Sequence, residues 1–357
     1  MHTLLRITGL LLPVAMLPGL MSAGTVPRWG LLALTLPLML YWVRWDRVPY
    51  KLLLVSILTY AAASTLWAEV HLDAQLGLFR ALLLAAAFCV GATCGEETFD
   101  RTLLLMAIGV ATTLPLVVLQ VMGYTGIPQT APPAGLFLNK NVLAESAALL
   151  LVYSAYMRRY LLAALLLVIV VLAKEKAAFV GLIIVTIVAL YPRHRKIALA
   201  LLGLCAIGVA LLIDTPSAQD RLDIWTDTLR GVTFLGNGIG SFYAMFPAEA
   251  ISSNVIAIRP EQAHNDFLQV LFELGAPGTI LIAVLAAAAF RKDLSPERLL
   301  LVFVLASGAF AFPMHMPLTA FVAALAAGRL CSDVRYAGLE ATECRNQDEQ
   351  SFHHSAA

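Results

Sequence analysis

Long apolar stretches separated by short polar connections run through most of this sequence. A hydrocarbon core about 30 Å thick needs roughly 20 helical residues to cross it, so the pattern predicts about twelve membrane-crossing helices. They lie near residues 4–20, 29–43, 50–67, 76–94, 102–122, 141–157, 160–173, 177–191, 197–213, 276–290, 299–312 and 318–330. Several are shorter than a full span, so one or two fewer crossings also fit. The predicted fold class is all-α, a single polytopic membrane helix bundle over residues 1–331.

Composition agrees with this pattern. Apolar residues make up 60% of the chain, charged residues 13%, and the mean hydropathy is +0.82, whereas soluble domains have about 45–50% apolar and 25% charged residues. The chain is therefore predicted to be an integral membrane protein. Its net charge is +1 and its cations form no continuous basic face, so no nucleic-acid partner is expected. The five cysteines lack the spacing of a disulfide or zinc framework.

The charges between the spans predict the topology. Lysine and arginine cluster in four connections that lie on one side if every predicted span crosses, and by the positive-inside rule that side is the cytoplasm. The clusters are Arg44, Arg47 and Lys51; Arg158 and Arg159; Arg193, Arg195 and Lys196; and Arg291, Lys292 and Arg298. Both ends are then cytoplasmic, including residues 332–357, which are polar and predicted to be a disordered tail. The first span is interpreted as a signal anchor, with a cleaved signal peptide as the alternative.

Three elements on the outer side carry polar residues that are unusual so close to a membrane. The first is the entrance of the sixth predicted span, where Asn139, Asn141 and Glu145 occur. Either asparagine could cap the helix. Glu145 lies about one turn inside the apolar run, where an ionised group costs several kcal/mol unless it is paired; Lys140 and Lys176 are its candidate partners.

The second element is Lys174-Glu175-Lys176, between two apolar runs. Two lysines on the outer side oppose the usual charge bias of membrane proteins. They are therefore candidates for binding a pyrophosphate, with a solvated turn as the alternative.

The third element is the long hydrophilic segment 214–275, which begins with a predicted helix. Arg221, Trp225 and Leu229 recur every four residues, so they are predicted to share a helix face that could lie on the bilayer surface. The cluster Gly236-x-Gly238-x-Gly240 lacks the preceding strand of a nucleotide loop. It is interpreted as a tight turn that brings the backbone near the membrane or a ligand.

The same segment ends in a polar run, residues 262–269, that contains His264 and leads into the next span. A lone histidine at such an entrance is more often structural than catalytic. His71 and His315 are interpreted as structural residues.

Taken together, these elements resemble one family. The motifs are Phe137-x-Asn139-x-Asn141-x-x-Ala144, the pair Glu175-Lys176, Arg221-x-x-x-Trp225 followed by Gly236-Asn237-Gly238-Ile239-Gly240-Ser241-Phe242, and His264-Asn265-x-x-Leu268 ending in Gly275. In order and spacing they are similar to the O-antigen ligase and polymerase superfamily over residues of about 135–280; the first four spans are similar only in hydropathy. Members usually carry a Ser-Arg pair where this chain has Glu175-Lys176, so a phosphate contact by Lys176 would lack the bidentate fork of arginine.

The resemblance implies a GT-C-like fold with a long periplasmic loop in the bacterial inner membrane. It also implies an inverting, metal-independent glycosyltransferase whose active site faces the periplasm. The expected donor is a glycan on undecaprenyl pyrophosphate, and the expected acceptor is a sugar hydroxyl of lipid A-core, with membrane lipid around the site. No cofactor is expected. No metal is expected either, since the outward segments contain no tight carboxylate pair.

Roles follow from the chemistry that the resemblance implies. His264 is assigned as the general base, since a histidine with a pKa of about 6.5 is mostly neutral at pH 7 and can accept the proton of a sugar hydroxyl. Arg221 is the first choice to stabilise the charge that develops on the leaving pyrophosphate. Lys176, Lys174 and Arg80 are further candidate pyrophosphate contacts, although Arg80 could equally snorkel to the interface. The predicted sugar or acceptor pocket contains Asn139, Asn141, Glu145 and Trp225, and the tryptophan could instead anchor the interface.

Several alternatives stay open at this point. An O-antigen polymerase would use the same donor, and a protein O-oligosaccharyltransferase is a more remote option. A flippase or transporter of lipid-linked sugars would show charges at mid-bilayer or two related halves, and neither is evident. A non-catalytic assembly protein would tolerate replacement of His264. A Ser-His-Asp set that uses Ser241 is a minor alternative.

Overall fold

This computed structural model describes residues 1–20, 22–127, 129–212, 215–246, 260–290 and 294–332. The regular secondary structure of these residues is helical, and they contain no β-strand. The helices are α1 His2–Leu11, α2 Thr25–Leu40, α3 Lys51–Ser64, α4 His71–Thr93, α5 Glu96–Ala111, α6 Leu114–Val121, α7 Lys140–Tyr156, α8 Tyr160–Ala173, α9 Lys176–Leu190, α10 Arg195–Leu212, α11 Pro216–Arg230, α12 Phe242–Met245, α13 Asp266–Ala289, α14 Pro296–Gly308 and α15 Pro317–Ser332. The all-α prediction is confirmed for these residues. The predicted tail lies outside them, apart from Ser332.

Three helical stretches among the described residues are long and apolar enough to cross a membrane: His71–Thr93, Glu96–Val121 and Asp266–Ala289. Shorter apolar helices of 10–17 residues are Thr25–Leu40, Lys51–Ser64, Tyr160–Ala173, Lys176–Leu190 and Pro317–Ser332. At 1.5 Å per residue, a helix of that length falls short of a hydrocarbon core about 30 Å thick. The protein therefore has the helices of a membrane protein, and the predicted count of about twelve spans stays a prediction.

Two predicted boundaries differ most from the structure. The first span was expected near 4–20, but α1 ends at Leu11, and Pro13, which has no N–H to donate to a helix, follows at once. The span expected at 276–290 begins ten residues earlier, at Asp266, and continues through a break at Gly275. The histidine run therefore lies directly at the start of a helix.

Helix α7 forms the centre of the bundle and packs against α5, α8, α9 and α14. Every residue from Leu143 to Leu150 is buried. A helix that is covered on all sides needs no polar face. Ala144, Ala147 and Ala148 supply the small side chains that let neighbouring membrane helices approach closely.

The bundle has two polar ends, and α15 runs from one end to the other. At one end, Arg329 of α15 pairs with Glu297 of α14 at 2.7 Å, and His2 lies at this end as well, bonded to the start of α5. At the other end, Asp266 of α13 contacts His315, which precedes α15, at 2.9 Å. We call this second end the site end. It gathers most of the residues that the sequence singled out.

Candidate active site

A break in α13 shapes the site end. Gly275 has φ +60° and ψ −166°, and Pro277, which lacks an N–H, follows two residues later. Main-chain carbonyls next to the break accept hydrogen bonds from outside the helix. Those of Phe272 and Glu273 accept at 2.9 Å from the main-chain N–H groups of Asn237 and Gly238, respectively. The break is thus held by the glycine cluster that follows α11.

The glycine cluster is a tight turn, as the sequence predicted. Gly236, Gly238 and Gly240 all have positive φ, between 74° and 98°. A Cβ at Gly236 would lie 2.3 Å from the carbonyl oxygen of Glu273, which is far inside van der Waals contact. At Gly236 the turn therefore packs against the backbone of α13, and an approach to the membrane or a ligand stays a prediction.

The same turn is fastened to the first helices of the bundle. Tyr60 of α3 donates to the carbonyl of Leu235 at 2.9 Å, and the indole of Trp67 donates to that of Gly236 at 3.1 Å. Ser64 accepts from the main-chain N–H of Ile239 at 3.0 Å. The first helices, which carry no recognisable motif, therefore position the motif loop.

His264 lies in the short loop before α13. Its φ is +52°, and its neighbour Asn265 caps the helix by accepting from the N–H groups of Phe267 and Leu268 at 3.0 and 3.1 Å. The imidazole is half-buried and packs edge-on against Phe312 at 5.0 Å between ring centroids. Among the described residues its ring nitrogens have no hydrogen-bond partner, so they remain available to a substrate.

The main chain of Ala263, the residue before His264, is held on both sides of its Cα atom. The N–H of Ala263 donates to the amide oxygen of Gln269 at 3.1 Å, and its carbonyl accepts from the indole of Trp225 at 3.0 Å. The indole ring also packs against Phe310 at 6.2 Å. Trp225, expected to stack on a sugar or to anchor the interface, therefore acts as a support for the histidine loop.

Arg221 lies one helical turn before Trp225 on α11 and faces the protein. Its guanidinium is 3.7 Å from a carboxylate oxygen of Glu175. Glu175 is buried and caps α9, accepting from the main-chain N–H of Lys176 at 2.9 Å. Arg221 and Trp225 contact the protein, whereas Leu229, expected on the same helix face, is 53% exposed. Contact of this face with the bilayer surface stays a prediction.

Burial and the charge of Arg221 determine the protonation of His264. Burial is the larger cause and the nearby guanidinium adds to it; together they lower the pKa of His264 to about 4. The imidazole is therefore neutral at neutral pH. A neutral ring can accept a proton.

The other predicted cations occupy two different depths. Lys174 and Lys176 are exposed and flank the buried Glu175 at the site end. Arg80 lies nine residues into α4, about 13 Å from the start of that helix. This is deeper than the sequence indicated, because α4 begins five residues before the predicted span. Arg80 lies within electrostatic range of Glu273 and stacks over Trp29 at 5.8 Å.

The polar residues at the start of α7 have separate roles. Asn139 is the helix cap and accepts from the N–H of Asn141 at 2.8 Å, which confirms the capping alternative for Asn139. The side-chain oxygen of Asn141 and one carboxylate oxygen of Glu145 are buried without a hydrogen-bond partner among the described residues. Neither Lys140 nor Lys176 pairs with Glu145 there. The attractive charge in its range is Arg221.

The sequence did not reveal one group of polar side chains at the site end. Asp266, Gln269 and Glu273 follow each other at intervals of three and four residues on one face of α13, and all three contact His315 or each other. The spacing could have indicated the polar face. Nothing in the sequence links that face to His315, which was interpreted as structural and lies 49 residues beyond Asp266.

The described residues contain no group of three or more histidine, cysteine or carboxylate side chains that could hold a metal ion. Metal independence stays a prediction.

Comparison with known proteins bears on this site. Residues 161–283 match the family model described as O-antigen ligase. This match supports the assignment of the chain to the O-antigen ligase and polymerase family. Members of this family are glycosyltransferase-like enzymes. The match contains Glu175, Arg221, Trp225 and His264, and it ends before His315. No curated protein is similar enough to this chain to count as a relative.

Proposed function

We propose that the chain transfers a glycan from undecaprenyl pyrophosphate to a sugar hydroxyl of lipid A-core at the periplasmic face of the bacterial inner membrane. One observation carries this proposal. A neutral, half-buried histidine and a partly buried arginine lie within electrostatic range of each other at one end of a helical bundle, inside the segment that matches the O-antigen ligase family.

His264 acts as the general base in this reaction. The acceptor oxygen attacks the anomeric carbon opposite the pyrophosphate and loses its proton to the imidazole. The bond from that carbon to the pyrophosphate oxygen breaks, and the lipid pyrophosphate leaves with the electron pair. Attack from the opposite side inverts the configuration.

A histidine with a pKa of about 4 is a weak base in the free enzyme. The donor changes this, because a pyrophosphate bound beside Arg221 brings negative charge next to the imidazole. An opposite charge nearby favours the protonated ring and raises the pKa of His264 towards the working pH. The base therefore gains strength when the donor is bound.

Arg221 and the two exposed lysines stabilise the leaving group. The guanidinium is only loosely engaged at 3.7 Å from Glu175, so its N–H groups can bind a phosphate. Lys174 and Lys176 add point charges at the same end of the bundle. Arg80 lies deeper in the bundle than the two lysines, and it contacts the phosphate nearer the lipid chain.

The sugar is recognised at the start of α7. Asn141 and Glu145 each have a buried oxygen without a partner among the described residues, and such groups are costly unless a ligand supplies a donor. Sugar hydroxyls are donors of this kind. Asn139 and Trp225 support this pocket through the α7 cap and the Ala263 peptide.

An O-antigen polymerase remains the second candidate, because the family match supports either activity. Deleting the gene and separating lipopolysaccharide on a gel distinguishes the two. Loss of capped core with long carrier-linked polymer indicates a ligase, and core with a single repeat indicates a polymerase. A donor trapped on the cytoplasmic side would indicate a flippase and contradict the proposal.

Complementation then tests the site itself. His264→Ala should fail to restore the glycan, whereas His71→Ala, at an exposed position at the start of α4, should restore it. Both variants must reach wild-type levels in the membrane.

A further inference from the structure

His315 and Asp266 form a hydrogen-bonded pair at the site end. One carboxylate oxygen of Asp266 is 2.9 Å from Nδ1 of His315, and the other accepts from the N–H of Met314 at 3.0 Å. An ionised carboxylate can only accept. Nδ1 of His315 therefore carries a proton.

The orientation of the Gln269 amide determines the state of the other ring nitrogen. Its oxygen accepts from the N–H of Ala263 at 3.1 Å, so its NH₂ group points the other way. That group lies 2.9 Å from a carboxylate oxygen of Glu273 and 3.0 Å from Nε2 of His315. Each contact uses one N–H, and Nε2 of His315 must be the acceptor. The geometry assigns a neutral ring with its proton on Nδ1.

We propose that His315 is a positioning residue for the transfer: it orients the Gln269 amide and thereby fixes the Ala263 peptide that carries His264. This inference rests on the proposed role of His264 as the base. His315 itself does not touch the reacting atoms.

The conformation of His264 explains why its loop needs such support. A residue other than glycine at φ +52° is in the left-handed region, which side chains with a Cβ disfavour. The adjoining Ala263 peptide is held by Gln269 on one side and by Trp225 on the other. Because Trp225 is one turn from Arg221, the same peptide aligns the base with the cation.

The positioning contact depends on the protonation of His315. A proton on Nε2 would face the N–H of Gln269, and the contact would be lost. Burial lowers the pKa of His315, and Arg80 on α4 lowers it further. The hydrogen bond with Asp266 and the negative charges of Asp266 and Glu273 on α13 outweigh both effects, so the pKa lies above its usual value. The hydrogen bond that Gln269 donates favours the neutral ring. Acid should therefore release the loop before it protonates His264.

Two isosteric variants separate the two nitrogens of His315. In His315→Gln the amide oxygen replaces Nε2 as the acceptor for Gln269. In His315→Asn the amide nitrogen replaces Nδ1 as the donor to Asp266, and the contact to Gln269 is lost. Transfer is measured with full-length protein in liposomes, with a lipid pyrophosphate-linked glycan as donor.

We expect His315→Gln to keep kcat within about threefold of wild type. His315→Asn should lower kcat by roughly tenfold to a hundredfold with little change in KM, since a misplaced catalytic group can cost about a hundredfold. The acid limb of the wild-type pH profile of kcat/KM, which reports the free enzyme, should lie at the raised pKa of His315. In His315→Gln it should move down towards the pKa of His264, about 4.

Hydrogen exchange at residues 260–268 provides a readout that does not depend on activity. Exchange should rise in His315→Asn and stay at the wild-type level in His315→Gln. Equal kcat, pH profile and exchange in the two variants would overturn the positioning role. Transfer by His264→Ala would instead overturn the proposed function, whatever the His315 variants do.

Discussion

Replacing Gly236 by alanine tests whether the glycine turn holds the break in α13. The turn has φ +77° at this position, and left-handed backbone costs an alanine roughly 1–2 kcal/mol. The new Cβ would lie 2.3 Å from the oxygen of Glu273 and 2.4 Å from the nitrogen of Gly275, so the two backbones must separate.

Separation affects two main-chain hydrogen bonds of 2.9 Å, from Asn237 to Phe272 and from Gly238 to Glu273. Each contributes about 1 kcal/mol. With the backbone strain, the expected loss of unfolding free energy is about 3–4 kcal/mol, or about 4–5 °C in the unfolding midpoint for a chain of this size.

The assay is thermal unfolding of the full-length protein in detergent, with transfer activity measured in parallel. Gly203→Ala is the matched control, because Gly203 lies in α10 and, beyond its own stretch of helix, no atom of the described residues lies within 4 Å of the position that a Cβ would take there. It should unfold at the wild-type temperature or slightly above. If Gly236→Ala unfolded at the same temperature as this control, the glycine turn would not be the support of α13.

Two further changes test the surroundings of the site. Trp225→Phe leaves the Ala263 carbonyl without its indole donor; an unmet buried acceptor costs about 1–3 kcal/mol, so kcat should fall roughly tenfold. The exposed Trp42→Phe serves as control, and equal activity of the two would refute this role. Arg28→Met removes the donor to four main-chain carbonyls, and the lost hydrogen bonds are those that join the loop after α1 to Leu136. The free energy of unfolding should fall by about 3 kcal/mol or more, measured as a lower unfolding midpoint. A midpoint equal to that of the exposed Arg44→Met would contradict it.

The sequence predicted the class of protein better than the contacts of the candidate site. Apolar runs must lie in lipid or in a core, so the all-helical membrane fold follows from the length and pattern of these runs together with the composition. The polar segments that contain His264 and Arg221 stood out because polar residues near a membrane are costly. The roles of both residues came from the resemblance to the O-antigen ligase and polymerase superfamily.

The contacts could not be predicted because they depend on distant segments. Gly236 meets Gly275 only through the break in α13, and local sequence indicates flexible backbone without naming its partner. The pairing of His315 with Asp266 joins the two ends of a long segment, so spacing gives no signal for it. Arg28 is a similar case, since its acceptors are main-chain carbonyls that every sequence contains.

The family match and the proposed reaction meet at His264. The most direct measurement is glycan transfer from a lipid pyrophosphate donor to lipid A-core by purified full-length protein in liposomes, comparing His264→Ala with His71→Ala. We predict that His71→Ala transfers at the wild-type rate and that His264→Ala, folded and able to bind the donor, loses at least about a hundredfold in kcat, the contribution expected of a general base. Transfer by His264→Ala at the rate of His71→Ala would contradict the proposed role of His264.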